Sequence, residues 1–172
     1  MTKQTITSLT PTRVLDLLPP YPIVLVTTRT NIITVNQIAY FTFAPLRFGI
    51  GIAHTRYTYG LLKAEGAFVV NVPGPELVDA VKLCGTLSGR THDKFAAAGL
   101  DPEPWHGIDG VGIRQCGAQI ACRVEQELAF DERTWFIGEV VAARRREGHR
   151  GAEALMCGRH DYRLPGAMVS ER

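Results

Sequence analysis

The sequence predicts a mainly β protein, a closed antiparallel barrel interrupted by short helices. Six or seven short runs are apolar and β-branched, as strands are, and two or three short helical stretches separate them. Hairpin-type connections occur towards both ends of the chain. No GxGxxG follows a strand, and the sequence contains no P-loop and no Ser-His-Asp pattern, so a barrel is favoured over a dinucleotide-binding α/β fold.

The first strand follows a polar lead-in. Residues 13–18 have the pattern of one or two helical turns, which Pro19 and Pro20 end, and residues 1–20 are expected to pack on the outside. The run Ile23-Val-Leu-Val-Thr-Thr28 predicts a short strand buried on both faces, and residues 29–31 supply a turn.

Two more strands are expected before residue 54. Residues 32–43 are too β-branched and aromatic for a helix, and within them Thr34 and Asn36 are two apart and should share a face. These side chains either read the edge of a planar polar ligand or satisfy neighbouring backbone groups, and the residues alone favour the second interpretation. Residues 47–53 predict the third strand, whose two glycines allow another backbone or a ligand to come close.

The loop His54-Thr-Arg-Tyr-Thr58 is the first candidate binding element. It opens a short helix over residues 60–65, which runs into an apolar strand over residues 67–71. Unpaired N–H groups and the positive end of the helix dipole favour an anion there, and Arg56 adds a charged donor, so a phosphate is the natural ligand. The alternative is that Thr55 and Thr58 cap the helix and Arg56 is an ordinary surface residue.

The middle of the chain predicts two helices joined by a second candidate anion contact. Residues 76–83 have nearly helical apolar spacing, and this helix is expected to end at Cys84-Gly85. A second helical segment spans residues 92–98 and is closed by Gly99. Between them, Ser88-Gly89-Arg90 offers a hydroxyl, a close-approach glycine and a cation, although the same three residues also describe an ordinary interhelical turn.

The last third predicts a surface loop, a long hairpin and a tail. Residues 101–112 are rich in turn residues, residues 113–127 return to a strand pattern, and residues 135–143 form the partner strand after a turn at 131–133. Arg144-Arg145-Arg146 reads as a solvated strand end. Residues 155–157 add a short strand, and the tail from residue 158 could fold back over a site or a partner subunit.

Composition excludes several classes of function. The 172 residues suit one domain over 1–172, with a peripheral segment at 1–20 and a tail at 158–172. A net charge of +2 gives no strong field for nucleic acid or membranes. The N-terminus lacks the apolar core of a signal peptide, so a cytoplasmic protein is expected. Four cysteines form no CxxC and have no histidine at ligand spacing, which argues against a metal site and a redox dithiol.

Five motifs in a fixed order resemble the flavin reductase-like family, most closely its flavoredoxin branch. The resemblance spans roughly residues 20–166, and the conjunction of the motifs carries it. They are Asn31-Ile-Ile-Thr34, His54-Thr-Arg-Tyr-Thr-Tyr59, Gly66-Ala-Phe-Val-Val-Asn-Val-Pro73, Cys84-Gly-Thr-Leu-Ser-Gly-Arg-Thr-His-Asp-Lys-Phe95 and Phe136-Ile-Gly-Glu-Val140.

This resemblance implies an antiparallel split β-barrel with short helical insertions that binds FMN. It implies a homodimer with the flavin near the subunit interface, which passes electrons from NAD(P)H or a redox-protein donor to an acceptor, without catalytic side chains because the chemistry belongs to the flavin. The resemblance places three groups of residues on the cofactor: Thr28, Asn31, Thr34 and Asn36 along the isoalloxazine and ribityl, Thr55, Arg56, Tyr57 and Thr58 around the phosphate, and Ser88, Gly89, Arg90 and Lys94 closing over it.

Two departures from the family pattern stand out. Where relatives often have Trp or Ser after Asn-x-x-Thr, this chain has Val35-Asn36-Gln37, so contact with the ring differs. Where relatives often have a histidine before Phe-Ile-Gly-Glu, it has Arg133, a permanent cation that would favour the anionic reduced flavin. Two alternatives remain open: a reductase of free flavin for a partner monooxygenase, and a non-enzymatic barrel that binds flavin or haem, with His54 or His92 as axial ligand.

Overall fold

The computed structural model of the chain describes residue 15 and residues 17–166, so the predicted helical turns at 13–18 lie largely outside the described residues. Three α-helices occur in the described part: α1 (Tyr57–Glu65), α2 (Val78–Thr86) and α3 (Lys94–Ala98). Its strands are β1 (Tyr21–Pro22), β2 (Val24–Thr27), β3 (Ile32–Val35), β4 (Ile38–Phe43), β5 (Leu46–Ala53), β6 (Ala67–Val72), β7 (Pro102–Pro104), β8 (Val111–Ile113), β9 (Ala118–Ala129), β10 (Arg133–Arg145), β11 (Met156–Cys157) and β12 (Tyr162–Arg163).

Seven strands form one antiparallel sheet in the order β3-β2-β6-β9-β10-β5-β4. Strands β3 and β4 are consecutive in the chain yet lie at opposite edges of this sheet. Only Asn36 and Gln37 separate them, and the carbonyl of Gln37 accepts a hydrogen bond of 2.9 Å from the N–H of Gly51 in β5. The sheet therefore curls until its two edges meet at residues 36–37, which confirms the predicted antiparallel barrel.

Strand β2 is buried on both faces, as its sequence predicts. Val24 and Val26 belong to the apolar cluster inside the barrel with Phe68 and Phe136, all at most 4% exposed. The alternate residue Leu25 faces a second cluster, in which helices α2 and α3 cover the outside of the sheet. Because side chains of a strand alternate between faces, these two cores need a continuous apolar run rather than an alternating one.

Three predicted elements are corrected by the structure. The run 32–43 is two strands rather than one, because the chain crosses from one sheet edge to the other at Asn36–Gln37. Residues 101–112 contain β7 and most of β8, which pair as a small hairpin, so the single strand predicted from residue 113 starts only at Ala118. Helix α2 continues through Gly85 to Thr86.

The threonines of the loop at residues 54–58 do not cap helix α1. Helix α1 has Arg56 as its N-cap residue, and no side chain accepts a hydrogen bond from the first turn, so the capping alternative for Thr55 and Thr58 is wrong. At the other end, Gly66 adopts φ 64°, a left-handed conformation that favours glycine, and closes the helix. The N–H groups of Tyr57 and Thr58 thus remain available to a ligand, whereas that of Tyr59 donates to the carbonyl of Arg56 at 3.0 Å.

None of the described helices is long and apolar enough to cross a membrane.

Candidate functional site

A cavity of ≈ 260 Å³, called here the polar cavity, lies at the N-terminus of α1. Two segments enclose it: residues 55–58, which lead into the first turn of α1, and residues 86–90, which follow from the end of α2. Three of its lining side chains are cations, and no Asp or Glu lines it. Its lining residues are Asn31, Ile33, Thr55, Arg56, Tyr57, Thr58, Cys84, Thr86, Leu87, Ser88, Gly89, Arg90 and Lys94.

Lys94 is a buried cation in this cavity. The residue is 5% exposed, and its Nζ donates hydrogen bonds to the carbonyls of Ile32 (2.6 Å) and Cys84 (2.7 Å). Burial lowers the pKa of Lys94; the neighbouring Cys84 opposes that shift, and Arg56 adds to it. An ammonium group held by two neutral carbonyls retains a third donor. It has no counter-charge within the described part of the chain, so an anion in the cavity would stabilise it.

Asn31 and Thr58 join the first turn of α1 to the end of the β2–β3 turn. The Asn31 Nδ2 donates a hydrogen bond of 2.9 Å to Thr58 Oγ1, and both residues are at most 2% exposed. Asn31 Oδ1 is buried without a hydrogen-bond partner among the described residues. A buried acceptor of this kind is costly unless a ligand donates to it.

Arg90 and Gly89 hold the second loop against the first. The Arg90 guanidinium donates to the carbonyl of Thr55 (3.4 Å) and lies 5.4 Å from the centre of the Tyr57 ring. A Cβ atom at Gly89 would overlap with Asn31 Oδ1 and lie 3.0 Å from the Tyr57 ring. Glycine is therefore required at this position for the two loops to meet around the cavity.

A groove of ≈ 160 Å³ continues from the polar cavity along the meeting point of the barrel edges. It shares Ile33 and Arg56 with that cavity, so the two spaces adjoin. The lining residues of the groove are Ile33, Thr34, Val35, Asn36, Gln37, Gly51, Ile52, Ala53, Arg56 and Arg133. A polar tail and a flatter body of one ligand could thus occupy the cavity and the groove together.

Arg133 borders the groove in a paired state. Its Nε and Nη2 donate to Glu132 Oε1 at 2.9 and 2.5 Å, and its Nη1 donates to Gln37 Oε1. The guanidinium is fixed in orientation by these contacts, and Glu132 partly neutralises its charge.

An apolar chamber of ≈ 750 Å³ opens on the other side of this arginine. It shares Asn36, Gln37 and Arg133 with the groove, and most of its remaining wall is apolar, including Tyr21 and Trp135. The chamber offers room for a second molecule next to the groove.

Most of the residues predicted from the sequence converge on these two adjoining spaces. The polar cavity contains Asn31, Thr55, Arg56, Tyr57, Thr58, Ser88, Gly89, Arg90 and Lys94, and the groove contains Thr34, Val35, Asn36, Arg56 and Arg133. Thr28 is the exception: it is fully buried and lines neither space. The Thr34 hydroxyl donates to the carbonyl of Val81 at 2.5 Å, so for this residue the backbone-satisfying interpretation holds.

The sequence prediction did not assign Cys84, Thr86, Leu87 or Gln37 to the site. Cys84 lies in the last turn of α2, and its carbonyl accepts the hydrogen bond from Lys94. Burial raises the pKa of its thiol to about 11, and Lys94 acts in the opposite direction. Gln37 reaches the groove because Gly51 leaves room for its side chain. The glycines of β5 already predicted that another group lies close to this strand, and at Gly51 that group is the Gln37 side-chain amide.

The histidines considered as haem ligands lie outside these spaces. His54 is held by Thr134 at 3.0 Å and packs on Tyr59, and His92 contacts Thr91 on the surface. Among the described residues no group of three or more His, Cys, Asp or Glu side chains could hold a metal ion.

The chain is similar to two uncharacterised archaeal proteins. One, from Archaeoglobus fulgidus, is 35% identical over 111 residues, which cover 64% of this chain and 63% of that protein. The other, from Pyrococcus abyssi, is 29% identical over 112 residues, which cover 65% and 64%. The matches therefore span just under two thirds of the length of these relatives.

Solved structures share the whole fold at low sequence identity. The flavoredoxin of Desulfovibrio vulgaris (Miyazaki F) superposes with a TM-score of 0.84 at 22% identity, covering 99% of this chain and 97% of its own. An FMN-binding protein of Thermus thermophilus gives 0.83 at 21% identity over the full length of both chains. These are split-barrel folds. The model of the family described as flavin reductase like domain matches residues 18–165, and the chain belongs to this family.

Proposed function

We propose that the protein is an FMN-binding oxidoreductase that passes electrons from NAD(P)H or a protein donor, through the bound flavin, to an acceptor. One observation carries the proposal. Three cations, two of them exposed arginines and one a buried lysine, surround a small cavity without carboxylates, and this cavity continues into a groove at the barrel edge. The family and its flavoredoxin and FMN-binding relatives support the same cofactor.

The residues present fit FMN. Its phosphate is dianionic at neutral pH and matches Arg56, Lys94 and the backbone N–H groups of Tyr57 and Thr58. Ribityl hydroxyls could donate to the orphaned Asn31 Oδ1. Asn36 and Arg133, which line both the groove and the apolar chamber, would hold the ring.

The protein's part in the reaction is to hold the flavin and control access. When bound, the flavin supplies the hydride and electron chemistry. Lys94 and the two arginines would hold the phosphate, Arg133 would set the charge beside the ring, and the chamber would receive the donor or acceptor. No side chain is assigned as a general acid or base.

We propose in addition that the protein works as a cytoplasmic homodimer. Strand β4 is an edge of the main sheet, and Tyr40, Phe41 and Phe43 are exposed on it; Phe43 is 78% exposed. Leu128 and Phe130, on neighbouring chain segments, are also exposed. An unpaired strand edge with large apolar side chains favours association with a second copy.

The first test is the absorbance spectrum of the purified protein. Flavin bands that persist through gel filtration support a resident FMN, whereas FMN lost on filtration and consumed at micromolar Km supports turnover of free flavin. Anaerobic addition of NADH and NADPH then shows which donor bleaches the flavin. A colourless protein that does not change the FMN spectrum on titration would refute the proposal.

A further inference from the structure

Four arginines line one cavity near the end of β10 that lies far from the groove. They are Arg144, Arg145 and Arg146 from the end of β10 and Arg114 from the turn between β8 and β9, and they line a cavity of ≈ 200 Å³, called here the distal cavity. Glu103 is the one carboxylate among its lining residues. The whole chain carries an excess of only two positive charges, so this concentration of guanidinium groups is local.

Two of the four are held in place by the fold. Arg146 Nη2 donates to the carbonyls of Gln115 (2.7 Å) and Arg114 (3.1 Å). Arg144 donates to Gln119 (2.8 Å) and Glu103 (2.9 Å), and its guanidinium stacks 4.4 Å from the centre of the Trp105 ring. The sequence interpretation of this run as a solvated strand end is therefore incomplete.

These fixed arginines keep unused donors. No hydrogen bond within the described residues engages Nη1 of Arg144 or Nη1 of Arg146. The exposed side chains of Arg145 and Arg114 likewise have no hydrogen bond or ion pair with another described residue. Immobilised guanidinium groups lose little entropy when they bind an anion, and their planar forks match phosphate oxygens.

The buried thiol in the wall of the distal cavity carries no charge of its own. Cys116 is 3% exposed, and burial raises the pKa of its thiol to about 12, so the thiol is neutral. Glu76, Glu147 and Glu153 line a neighbouring cavity that adjoins at Gly117 and Arg146. Of these, Glu76 adds to the raised pKa of the Cys116 thiol and Arg146 opposes it, while the Glu103 carboxylate is paired with Arg144.

The distal cavity is separate from the proposed flavin site. The groove lies at the start of β10, at Arg133, and the distal cavity lies eleven residues further along the strand, at Arg144. Eleven steps of ~3.3 Å amount to roughly 36 Å of strand. The two spaces have no lining residue in common, so one small ligand cannot occupy both.

We propose that the distal cavity is a binding site for a small phosphate-bearing anion, a phosphate monoester or a diphosphate, held by Arg114 and Arg145 against the fixed Arg144 and Arg146. The site is independent of the flavin and of the acceptor. A phosphorylated ligand there would act as an effector or a positional anchor, not as a redox partner.

The two tryptophans of the chain provide the test. A Trp135→Phe variant leaves Trp105, stacked on Arg144, as the only reporter, and the reverse variant Trp105→Phe reports from the apolar chamber. The protein as purified is titrated with inorganic phosphate and pyrophosphate at constant ionic strength. We expect a saturable change in Trp105 fluorescence, with no change from Trp135 over the same range. Phosphorus NMR of pyrophosphate gives a second measurement in the unmodified chain.

Charge-matched variants decide the outcome. Arg145→Gln and Arg114→Gln should each weaken pyrophosphate binding at least five-fold, whereas Arg150→Gln, an exposed arginine with the same charge change, should alter it less than two-fold. Equal weakening by all three would mean general charge attraction and would overturn the proposal. Loss of the signal in Arg56→Gln would also overturn the proposal, because it would show that pyrophosphate binds in the polar cavity. A response to an acidic peptide but not to pyrophosphate would overturn it in favour of a protein partner.

Discussion

Lys94 is a buried cation, and an anion bound in the polar cavity would compensate its charge. Because burial lowers its pKa, the folded chain binds fewer protons than the unfolded chain between the lowered value and 10.5. The unfolding free energy of the FMN-free protein therefore gains with pH in that interval. FMN binding has the opposite dependence, because the ammonium loses its proton as the pH rises through the lowered pKa.

We predict that Lys94→Met weakens FMN binding by about 10–150-fold, the equivalent of one charged hydrogen bond of about 1.5–3 kcal/mol. Binding by the unmodified protein should also weaken at alkaline pH, and this dependence should be reduced in the variant. Fluorescence titration of FMN between pH 7 and 10 measures both effects. Lys82→Met, at an exposed lysine of α2, is the control. An identical pH profile in Lys94→Met would contradict the role of Lys94.

Arg133 and Glu132 act on the proposed flavin in opposite directions. A cation beside the ring stabilises the anionic reduced form, and the carboxylate of Glu132 masks part of that charge. We predict that Arg133→His at alkaline pH lowers the two-electron midpoint potential, and that Glu132→Gln raises it, each by roughly 20–40 mV. Redox titration of the two variants measures this; no shift in Arg133→His would refute the hypothesis.

For single residues, the sequence predicted which side chains belong to the site better than it predicted which of them are buried. Arg56, Ser88 and Arg90 stand in loops, where a short motif already fixes their surroundings. Lys94 could not be recognised as buried, because its partners, the carbonyls of Ile32 and Cys84, come from β3 and α2. The position of Thr28, buried and outside both spaces, could not be predicted for the same reason: it depends on how the sheet packs and not on its neighbours in the chain.

Among the structural elements, the loop 86–91 depends on a glycine for its position. Gly89→Ala would push a methyl group into Asn31 Oδ1 and move the loop from α1. We predict at least ten-fold weaker FMN binding with a change in unfolding free energy below ~1 kcal/mol, because the loop is on the surface.

The matched control for this variant is Gly85→Ala in α2. A Cβ there would lie 3.5 Å from Thr34, an ordinary contact, and the helix should gain about 0.5–1 kcal/mol in stability. Both quantities follow from FMN titration and urea unfolding. Unchanged FMN affinity in Gly89→Ala would show that the loop does not need its close approach to the first turn of α1.

The elements themselves were mostly predictable from local pattern. Helix α1, strand β6 and the β9–β10 hairpin have clear periodicity, although the predicted starts of α1 and β9 differ from the observed ones. The run 32–43 has no internal turn signal, since its apolar pattern continues across Asn36–Gln37. Its division into β3 and β4 follows from closure of the barrel, a property of the complete sheet that no local window contains.

For the whole molecule, the exposed edge β4 determines the proposed assembly. Phe43→Glu should place a charge in the proposed subunit interface and raise the dimer dissociation constant at least about 30-fold, corresponding to 2 kcal/mol or more. Light scattering after size-exclusion chromatography over a range of concentrations measures it. Leu164→Glu, in the tail, is the control, and an equally stable Phe43→Glu dimer would place the interface elsewhere.

The two-residue crossing at Asn36–Gln37 makes cofactor retention a reporter of complete folding. Strands β2, β6, β9 and β10 can pair before the barrel edges meet, whereas the groove exists only afterwards. Contacts between such distant strands form slowly. During refolding, quenching of flavin fluorescence should therefore lag behind far-ultraviolet circular dichroism, and simultaneous recovery would contradict this order. The flavin absorbance of a preparation would then measure the fraction of molecules in which the barrel has closed.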